Sequence, residues 1–503
     1  MVERLGGDPR VETVLLQFGT LQAGTAALYS LRRMVLDLRS KGKRVVAWMP
    51  SATTWEYYLA SACDEIVIPP SGRLSVLGVR IEALFVKDTL ALAGVEADLE
   101  SIAEYKTAPD TFRRATMTEP HREMLDAILN SYLDIAVTAI AEGRGIEPAR
   151  VRELIDTMPL LPDQAVEAGL VDAVLYEDEL PAHLHPAGER KGEPPPFCTW
   201  RKSARWLRQP VRRTTGRTVG VVSVEGMIVP GKSRRAPSPI PLPITNAQAG
   251  AETIIQALRQ AESDQQMVAV ILHVDSPGGS ALASDLIARE VRRLREKKPV
   301  VALMGAQAAS GGYYVAAPAN RIVARPTTIT GSIGVWGGKF TLGGLYEKLG
   351  IRREALQRGA MAGLYSEMAP FSPEERKWVR RDMGEFYARF KDYVVEGRGM
   401  AEEEVERVAR GRVWTGAQAL EAGLVDGLGG FETALEQAKA LAGIKPVQDV
   451  GVVPVRAPRH ELPPSPFPVG TEGLNLTSLL EEIQGLARER VWAMAPWIVH
   501  VRT

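Results

Sequence analysis

The sequence predicts an α/β fold in which short buried strands alternate with amphipathic helices. Two observations carry this. Apolar runs of a few residues, closed by turn residues, are each followed by a stretch with helical periodicity. The same order of runs and motifs then returns about 256 residues later, so the α/β unit is expected twice in tandem.

In the leading half, Val14-Leu15-Leu16 reads as a strand, 26–38 as an amphipathic helix and 44–49 as the next buried strand. Thr53-Thr54-Trp55-Glu56-Tyr57-Tyr58 and a short helix follow, then the strand Glu65-Ile66-Val67-Ile68. In the trailing half, 267–274 reads as a strand, 281–295 as a helix and 299–304 as a strand that ends in a small-residue turn. Ala309-Ser310-Gly311-Gly312-Tyr313-Tyr314 then opens a helix, and Arg321-Ile322-Val323 is the next strand. Long helices at 120–143 and 373–397 are expected to cover the two copies.

The repeat is visible residue by residue. Tyr57-Tyr58 matches Tyr313-Tyr314, Ile66-Val67 matches Ile322-Val323, and Leu77-Gly78-Val79 matches Ile333-Gly334-Val335, all at an offset of 256. Glu142-Gly143-Arg144-Gly145 matches Glu396-Gly397-Arg398-Gly399, and 167–172 matches 421–426, at an offset of 254. The expected organisation is a first copy over 1–185, a linker over 186–217, a second copy over 218–445 and a tail over 446–503.

The linker carries Pro194-Pro195-Pro196 and the basic residues Arg201, Lys202, Arg205, Arg208, Arg212, Arg213 and Arg217. It reads as a solvated connection or, with Trp200 and Trp206, as a patch that rests on an anionic membrane surface. Residues 233–244, with four prolines, read as an extended loop. The tail is proline-rich, with one amphipathic helix at 476–490 suited to packing or assembly.

Sixty-one basic residues balance sixty-one acidic ones, which excludes a chain-wide polyanion-binding role, and no nucleic-acid partner is expected. Two cysteines, Cys63 and Cys198, exclude a disulfide framework and a cysteine-rich zinc site, and no cofactor or metal is expected. No apolar run approaches the ~18–20 residues of a membrane-spanning helix, and the charged residues 1–10 do not read as a signal peptide.

The chemistry centres on Ser310. A serine where a buried strand meets a helix faces free backbone N–H groups and the positive end of the helix dipole. Gly311 and Gly312 lack the Cβ atoms that would hold a peptide carbonyl away. A serine hydroxyl still needs a base. The six histidines His121, His183, His185, His273, His460 and His500 lie mostly in linker, helix-surface or tail segments. His273 alone approaches the site, and it reads as a strand side chain beneath it.

The repeat points to another base. Opposite Ser310 stands Thr54, and opposite Lys106 stands Ala362, so each copy holds one half of a serine–lysine pair. A single composite site made from two copies has this pattern. To accept a proton, Lys106 must be neutral, so burial has to lower its pKa from about 10.4 toward roughly 7–8, at a cost to the fold of about 4 kcal/mol. Ser332, in Thr330-Gly331-Ser332-Ile333-Gly334, is the candidate hydroxyl that orients the amine. Asp275-Ser276-Pro277-Gly278-Gly279-Ser280 offers N–H groups for an oxyanion. Pro277 has none, so Gly279, with Gly278 as second choice, is the expected donor, partnered by the N–H of Gly311.

Asp-Ser-Pro-Gly-Gly, Ala-Ser-Gly-Gly-Tyr-Tyr and Thr-Gly-Ser-Ile-Gly-Val, in this order, resemble the signal peptide peptidase A family of bacterial serine peptidases, family S49. The resemblance runs from about Val14 to Leu441, and the duplicated arrangement is similar to the family's long form. It implies a fold like that of the Clp protease subunit and the crotonases. It also implies Ser310 as nucleophile, Lys106 as the base supplied by the first copy, and a homotetrameric ring. Gly359-Ala360-Met361-Ala362 lacks the lysine that the short form carries in the equivalent stretch. The implied activity is hydrolysis of remnant signal peptides and other short apolar peptides at the cytoplasmic membrane. Family members generally begin with a membrane anchor and a further strand segment, whereas this chain starts at the strand near Val14, so a membrane location rests on the resemblance alone. Two rival readings are a crotonase-type acyl-CoA enzyme and a non-catalytic ring that binds peptides or a membrane surface.

Overall fold

The computed structural model describes residues 1–19, 21, 23–184, 197–207, 214–235, 247–457 and 491–494. The proline triplet at 194–196, Arg208, Arg212 and Arg213 of the linker, most of the 233–244 loop, the 476–490 segment, His185, His460 and His500 lie outside the described residues. The chain forms two compact units that interleave in sequence. One combines Met1–Ile81 with Leu129–Arg213; the other combines Glu82–Ile128 with Thr214–His500. Glu82–Ile128 thus leaves the leading half and folds with the trailing one. A ladder explains it: the strand Glu96–Ser101 pairs antiparallel with Trp336–Thr341, from Ser101 opposite Trp336 to Glu96 opposite Thr341.

The first unit holds a parallel sheet in the order Thr13–Gln17, Arg44–Trp48, Glu65–Ile68, Ala173–Val174. Val45, Val46, Ala47, Ile66, Val67 and Ile68 are buried, as a parallel sheet covered on both faces requires. Arg32, on the helix Thr25–Ser40, is buried but satisfied: its guanidinium donates to the Tyr58 carbonyl at 2.6 Å, to Ser61 Oγ at 2.8 Å and to the Ala139 carbonyl at 2.8 Å. Two linker tryptophans lie near N-terminal arginines. The Arg10 guanidinium stands 4.8 Å from the Trp206 ring centre, and Arg4 stands 5.7 Å from Trp200.

The helix Glu119–Arg144 bears on the expectation that no run crosses a membrane. By length and composition it is the one described helix able to cross a membrane, because an 18-residue stretch of it carries at most two charged side chains. Half of that stretch is buried inside the fold, as in a core helix.

In the second unit the main sheet runs Val413–Thr415, Ile329–Gly331, Val300–Ala309, Met267–Ser276, Thr214–Glu225, Asp449–Pro454. The central strand is longer than the 299–304 read from sequence. Gln307, Ala308 and Ala309 pair with Ile329, Thr330 and Gly331, so the small residues there continue the strand instead of turning. A second sheet contains, in order, Met227–Val229, Gly278–Ser280, Val491–Met494, Trp336–Thr341 and Glu96–Ser101. The helix Pro373–Arg398 begins at a capping box: the Glu375 N–H donates to Ser372 Oγ at 3.2 Å and the Ser372 N–H donates to the Glu375 carboxylate at 2.8 Å. It ends where Gly399 turns left-handed at φ 64°. This helix buries Val379, Met383 and Phe390, and Phe390 stacks on Tyr314 with ring centres 4.3 Å apart. The helix Gly311–Ala316 is thereby fixed from its outer side.

Several contacts occur once in each unit at the sequence offsets noted above. Tyr57 donates its hydroxyl to the Leu170 carbonyl at 2.6 Å, and Tyr313 to the Leu424 carbonyl at 2.8 Å. Arg144 pairs with Asp172 at 2.7 Å, and Arg398 with Asp426 at 2.8 Å. A Cβ on Gly143 would stand 1.9 Å from the Ser61 carbonyl oxygen, and one on Gly397 would stand 2.0 Å from that of Ala317. An exposed helical Gly→Ala change stabilises by roughly 0.8–1 kcal/mol. Gly397→Ala is expected to do the reverse, costing about 1–3 kcal/mol through the forced backbone shift. Urea denaturation checks the sign, and a stabilised variant would refute the close approach.

Candidate active site

Ser310 stands at the C-terminal end of the central strand, as the N-cap of the helix Gly311–Ala316. Its backbone takes φ 55° and ψ −116°, a region that a side chain rarely adopts and that costs on the order of 1–3 kcal/mol. The conformation is held by the Ser310 N–H, which donates to the Gly331 carbonyl at 2.7 Å, and by a fully buried surround. Ser310 Oγ lies 3.4 Å from the Gly334 carbonyl oxygen.

Lys106 follows the strand Glu96–Ser101 in a short loop, and only 1% of it is exposed. Its Nζ lies 2.7 Å from Ser310 Oγ, 3.0 Å from Ser332 Oγ and 3.1 Å from the Ser332 carbonyl oxygen. Burial holds the amine well below its ordinary pKa of 10.5, and no nearby charge raises it. A neutral amine has two N–H bonds and one lone pair. The two oxygens of Ser332 can take both hydrogens, which turns the lone pair toward the Ser310 hydroxyl.

The loop around Lys106 is tied down on several sides. The Ile102 N–H donates to the Val335 carbonyl at 3.1 Å, and the Tyr105 N–H donates to the Arg410 carbonyl at 3.2 Å. Asp110, almost fully buried, pairs with Arg113 at 2.7 Å, and Arg113 reaches the Leu99 carbonyl at 3.1 Å. Tyr105 donates its hydroxyl to Glu123 at 2.8 Å, and Arg412 pairs with Glu123 at 2.8 Å.

Two glycines that sequence reading did not single out shape the lysine's channel. A Cβ on Gly411, whose φ is +82°, would lie 2.4 Å from the Lys106 backbone nitrogen, and one on Gly334 would lie 3.3 Å from Lys106 Cδ. A signal for Gly411 existed in the repeat. Its counterpart at the 254 offset is Thr157, so only the copy that meets the lysine has a glycine there.

Gly278, Gly279 and Gly311 gather beside the serine. A Cβ on Gly278 would lie 2.7 Å from the Gly311 nitrogen, and one on Gly279 would lie 2.0 Å from the Ile228 carbonyl oxygen. The Gly278 N–H already donates to Ser276 Oγ at 3.1 Å. His273 lies on the strand Met267–Ser276 with its Nδ1 3.9 Å from Glu225, whereas Lys106 Nζ meets Ser310 and Ser332.

The counterpart positions differ in the way a lost site would. Thr54 Oγ1 is fully buried, donates to the Gly78 carbonyl at 2.8 Å and accepts from the Gly78 N–H at 3.1 Å. Its hydroxyl is committed to the backbone. Ala362 lies exposed in a turn.

The buried amine makes a sign-specific statement about stability. Unfolded, Lys106 titrates near 10.5; folded, well below it. Between those two values the unfolded chain binds the extra proton, so stability rises with pH through that window and levels off above 10.5. Lys106→Met removes this dependence. Urea denaturation across pH 7 to 10.5 is expected to show wild type gaining on Lys106→Met as pH rises; a flat or opposite difference would show that the amine is charged in the folded state.

Comparison with known proteins points to one peptidase family. The model of peptidase family S49 matches residues 37–188 and 292–445, stretches that contain Lys106 and Ser310 respectively. A protein of Arabidopsis thaliana named serine protease SPPA, chloroplastic, is 33% identical over 483 residues, covering 95% of this chain and 70% of the relative. Protease 4 of Haemophilus influenzae is 29% identical over 469 residues, covering 90% of this chain and 73% of the relative. Protease 4 of Salmonella typhi is 30% identical over 422 residues, covering 81% and 65%. With both halves matched and these relatives aligned over most of its length, the chain belongs to peptidase family S49.

Proposed function

We propose that this chain is a serine endopeptidase in which Ser310 is the nucleophile and Lys106 the general base. Its substrates are short apolar peptides, remnant signal peptides among them. The observation that carries the reading is the 2.7 Å separation of Lys106 Nζ and Ser310 Oγ in a buried setting that holds the amine's pKa well below 10.5. Each copy of an ancestral gene duplication supplies one of the two groups.

In this mechanism Lys106 takes the proton of the Ser310 hydroxyl as Oγ attacks the peptide carbonyl carbon. The oxyanion receives the N–H groups of Gly279 and Gly311; that of Gly278 is held by Ser276. As the C–N bond breaks, the Lys106 ammonium returns its proton to the leaving amine. Water then attacks the acyl-serine with Lys106 again as base, and Ser310 is restored. Ser332 holds the Lys106 nitrogen in place throughout, so that its lone pair faces the serine whenever the amine is neutral.

Lys106→Ala and Ser310→Ala are each expected to lower kcat for a fluorogenic peptide by at least about 10²–10⁴-fold. Lys106→Arg is expected to stay inactive, since a guanidinium does not release its proton. The wild-type rate is expected to climb with pH through the lowered Lys106 pKa and to reach its plateau well below 10.5. A fluorophosphonate is expected to label Ser310 in wild type and nothing in Ser310→Ala. Undiminished turnover by either alanine variant would end the assignment, and an unlabelled wild type would favour a crotonase-type or non-catalytic reading.

A further inference from the structure

Among the described residues, four other than glycine carry a positive φ: Ala103 at 69°, Ser310 at 55°, Ser332 at 50° and Arg410 at 55°. All four surround one amine. Ser310 and Ser332 bond to the Lys106 nitrogen, the Ala103 carbonyl accepts from the Lys106 N–H at 3.4 Å, and the Arg410 carbonyl accepts from the Tyr105 N–H at 3.2 Å. Left-handed backbone at such residues persists only where the surroundings over-determine it. Arg410 opens a short segment, Arg410-Gly411-Arg412, that grips the lysine loop one residue at a time.

Arg410 pairs with Glu104 at 2.9 Å, and Gly411 lies against the backbone of Lys106. The Arg412 guanidinium stands 5.0 Å from the Tyr105 ring centre and 4.8 Å from that of Trp414, a flat cation over two aromatic rings. Glu123 closes the group, accepting from the Tyr105 hydroxyl and from the Arg412 guanidinium, both at 2.8 Å. Trp414 is itself pinned, its indole N–H donating to the Val408 carbonyl at 2.9 Å. The same segment reaches the far side of the amine. The Arg412 carbonyl accepts from the Ser332 N–H at 2.7 Å, and the Gly411 N–H donates to the Ile333 carbonyl at 2.8 Å. Arg412 therefore meets the lysine loop through its side chain and Ser332 through its backbone. The Arg410–Glu104 pair, with side chains 49% and 36% exposed, holds little. Arg412, 20% exposed, is the stronger contact. At the 254 offset the first copy has Asp156-Thr157-Met158 in this place, although Val151 still matches Val405 and 167–172 still match 421–426. Only the copy that meets the lysine carries the brace.

We propose that Arg412 is a positioning residue of the peptidase site: it fixes Ser332 and the lysine loop to one another, and so keeps Lys106 against Ser310 and shut off from water. The inference rests on the Ser310–Lys106 reading for its effect on catalysis, and on the contacts of Arg412 alone for its geometry. Glu104 is exposed two residues before the buried lysine, so a small opening of the loop admits water to the amine. A hydrated amine regains its affinity for protons, and at neutral pH it becomes a cation that cannot accept another. A planar guanidinium suits this place better than an ammonium, since it stacks on the rings while still pairing with Glu123.

The test compares wild type, Arg412→Ala, Arg412→Lys and Gly397→Ala, the last destabilised away from the site. With a fluorogenic peptide, Arg412→Ala is expected to lower kcat at neutral pH about 10–100-fold with KM little changed. The rise of its rate with pH is expected to move upward by at least about one unit, so that activity returns in part on the alkaline side. Arg412→Lys is expected to shift in the same direction by less, and Gly397→Ala not at all. A second measurement needs no turnover. The gain in urea stability of wild type over Lys106→Met between pH 7 and 10.5 is expected to shrink when both proteins carry Arg412→Ala, because the folded and unfolded proton affinities draw together. An unmoved pH profile in Arg412→Ala would overturn the proposal. So would an equal shift in Gly397→Ala, since lost stability alone would then account for it. Should Arg412→Ala not fold, Arg412→Lys decides, and a wild-type profile there refutes the role. If the wild type hydrolyses no peptide at all, the peptidase reading fails, and the urea comparison still decides whether Arg412 keeps water from the amine.

Discussion

An amine withdrawn from water without a counter-ion sets the terms for everything around it. Lys106 has no carboxylate among its close partners; its nitrogen meets two serine hydroxyls and a carbonyl. A nearby acid would have fixed it as a cation and removed it from proton transfer at neutral pH. Neutrality is costly to the fold, and the surroundings offset that cost by leaving none of the amine's hydrogens without an acceptor. They also leave the stem little freedom: Gly334 and Gly411 close on it so tightly that neither tolerates a methyl group without displacement.

The serine side carries its own constraint, in backbone rather than charge. Ser310 takes a left-handed φ that the long central strand and the Gly331 carbonyl impose on it. Thr54 occupies the corresponding place in the other unit with its hydroxyl bonded to Gly78 at both ends, and it is not among the residues of positive φ. Strain and a hydroxyl that faces a buried amine occur together, and where the hydroxyl has been given to the backbone the strain is missing as well. The rest of the scaffold is shared: the tyrosine hydroxyls, the arginine–aspartate pairs and the helix glycines make matching contacts in both units.

The central strands of each unit's main sheet were legible in the sequence, because a run such as Val300-Val301-Ala302-Leu303 has one stable destination. The pairing of Ser310 with Lys106 was legible through an asymmetry, Thr54 against Ser310 and Ala362 against Lys106, that local pattern alone does not supply. What stayed hidden was decided by distant partners. Gly305-Ala306-Gln307 reads as a turn until Ile329–Gly331 pairs alongside it. Glu96–Ser101 carries nothing that announces a ladder with Trp336–Thr341. Val491–Met494, four residues in a proline-rich tail, gains its strand character wholly from the two edges beside it. Gly411 shows why a composite site resists reading: its role is defined by the backbone at Lys106, far earlier in the chain.

The interleaving of Glu82–Ile128 with the trailing half has a bearing on inheritance. On the reading proposed above, a descendant gene that shed its leading copy would lose not a redundant module but the proton acceptor, together with one edge of the second sheet. To recover, it would have to install a lysine on the surviving copy, and the exposed turn at Ala362 is where the repeat locates the vacancy. On the reading proposed above the two copies descend jointly: with the hydroxyl on one and the amine on the other, deleting either would dissolve the 2.7 Å pair.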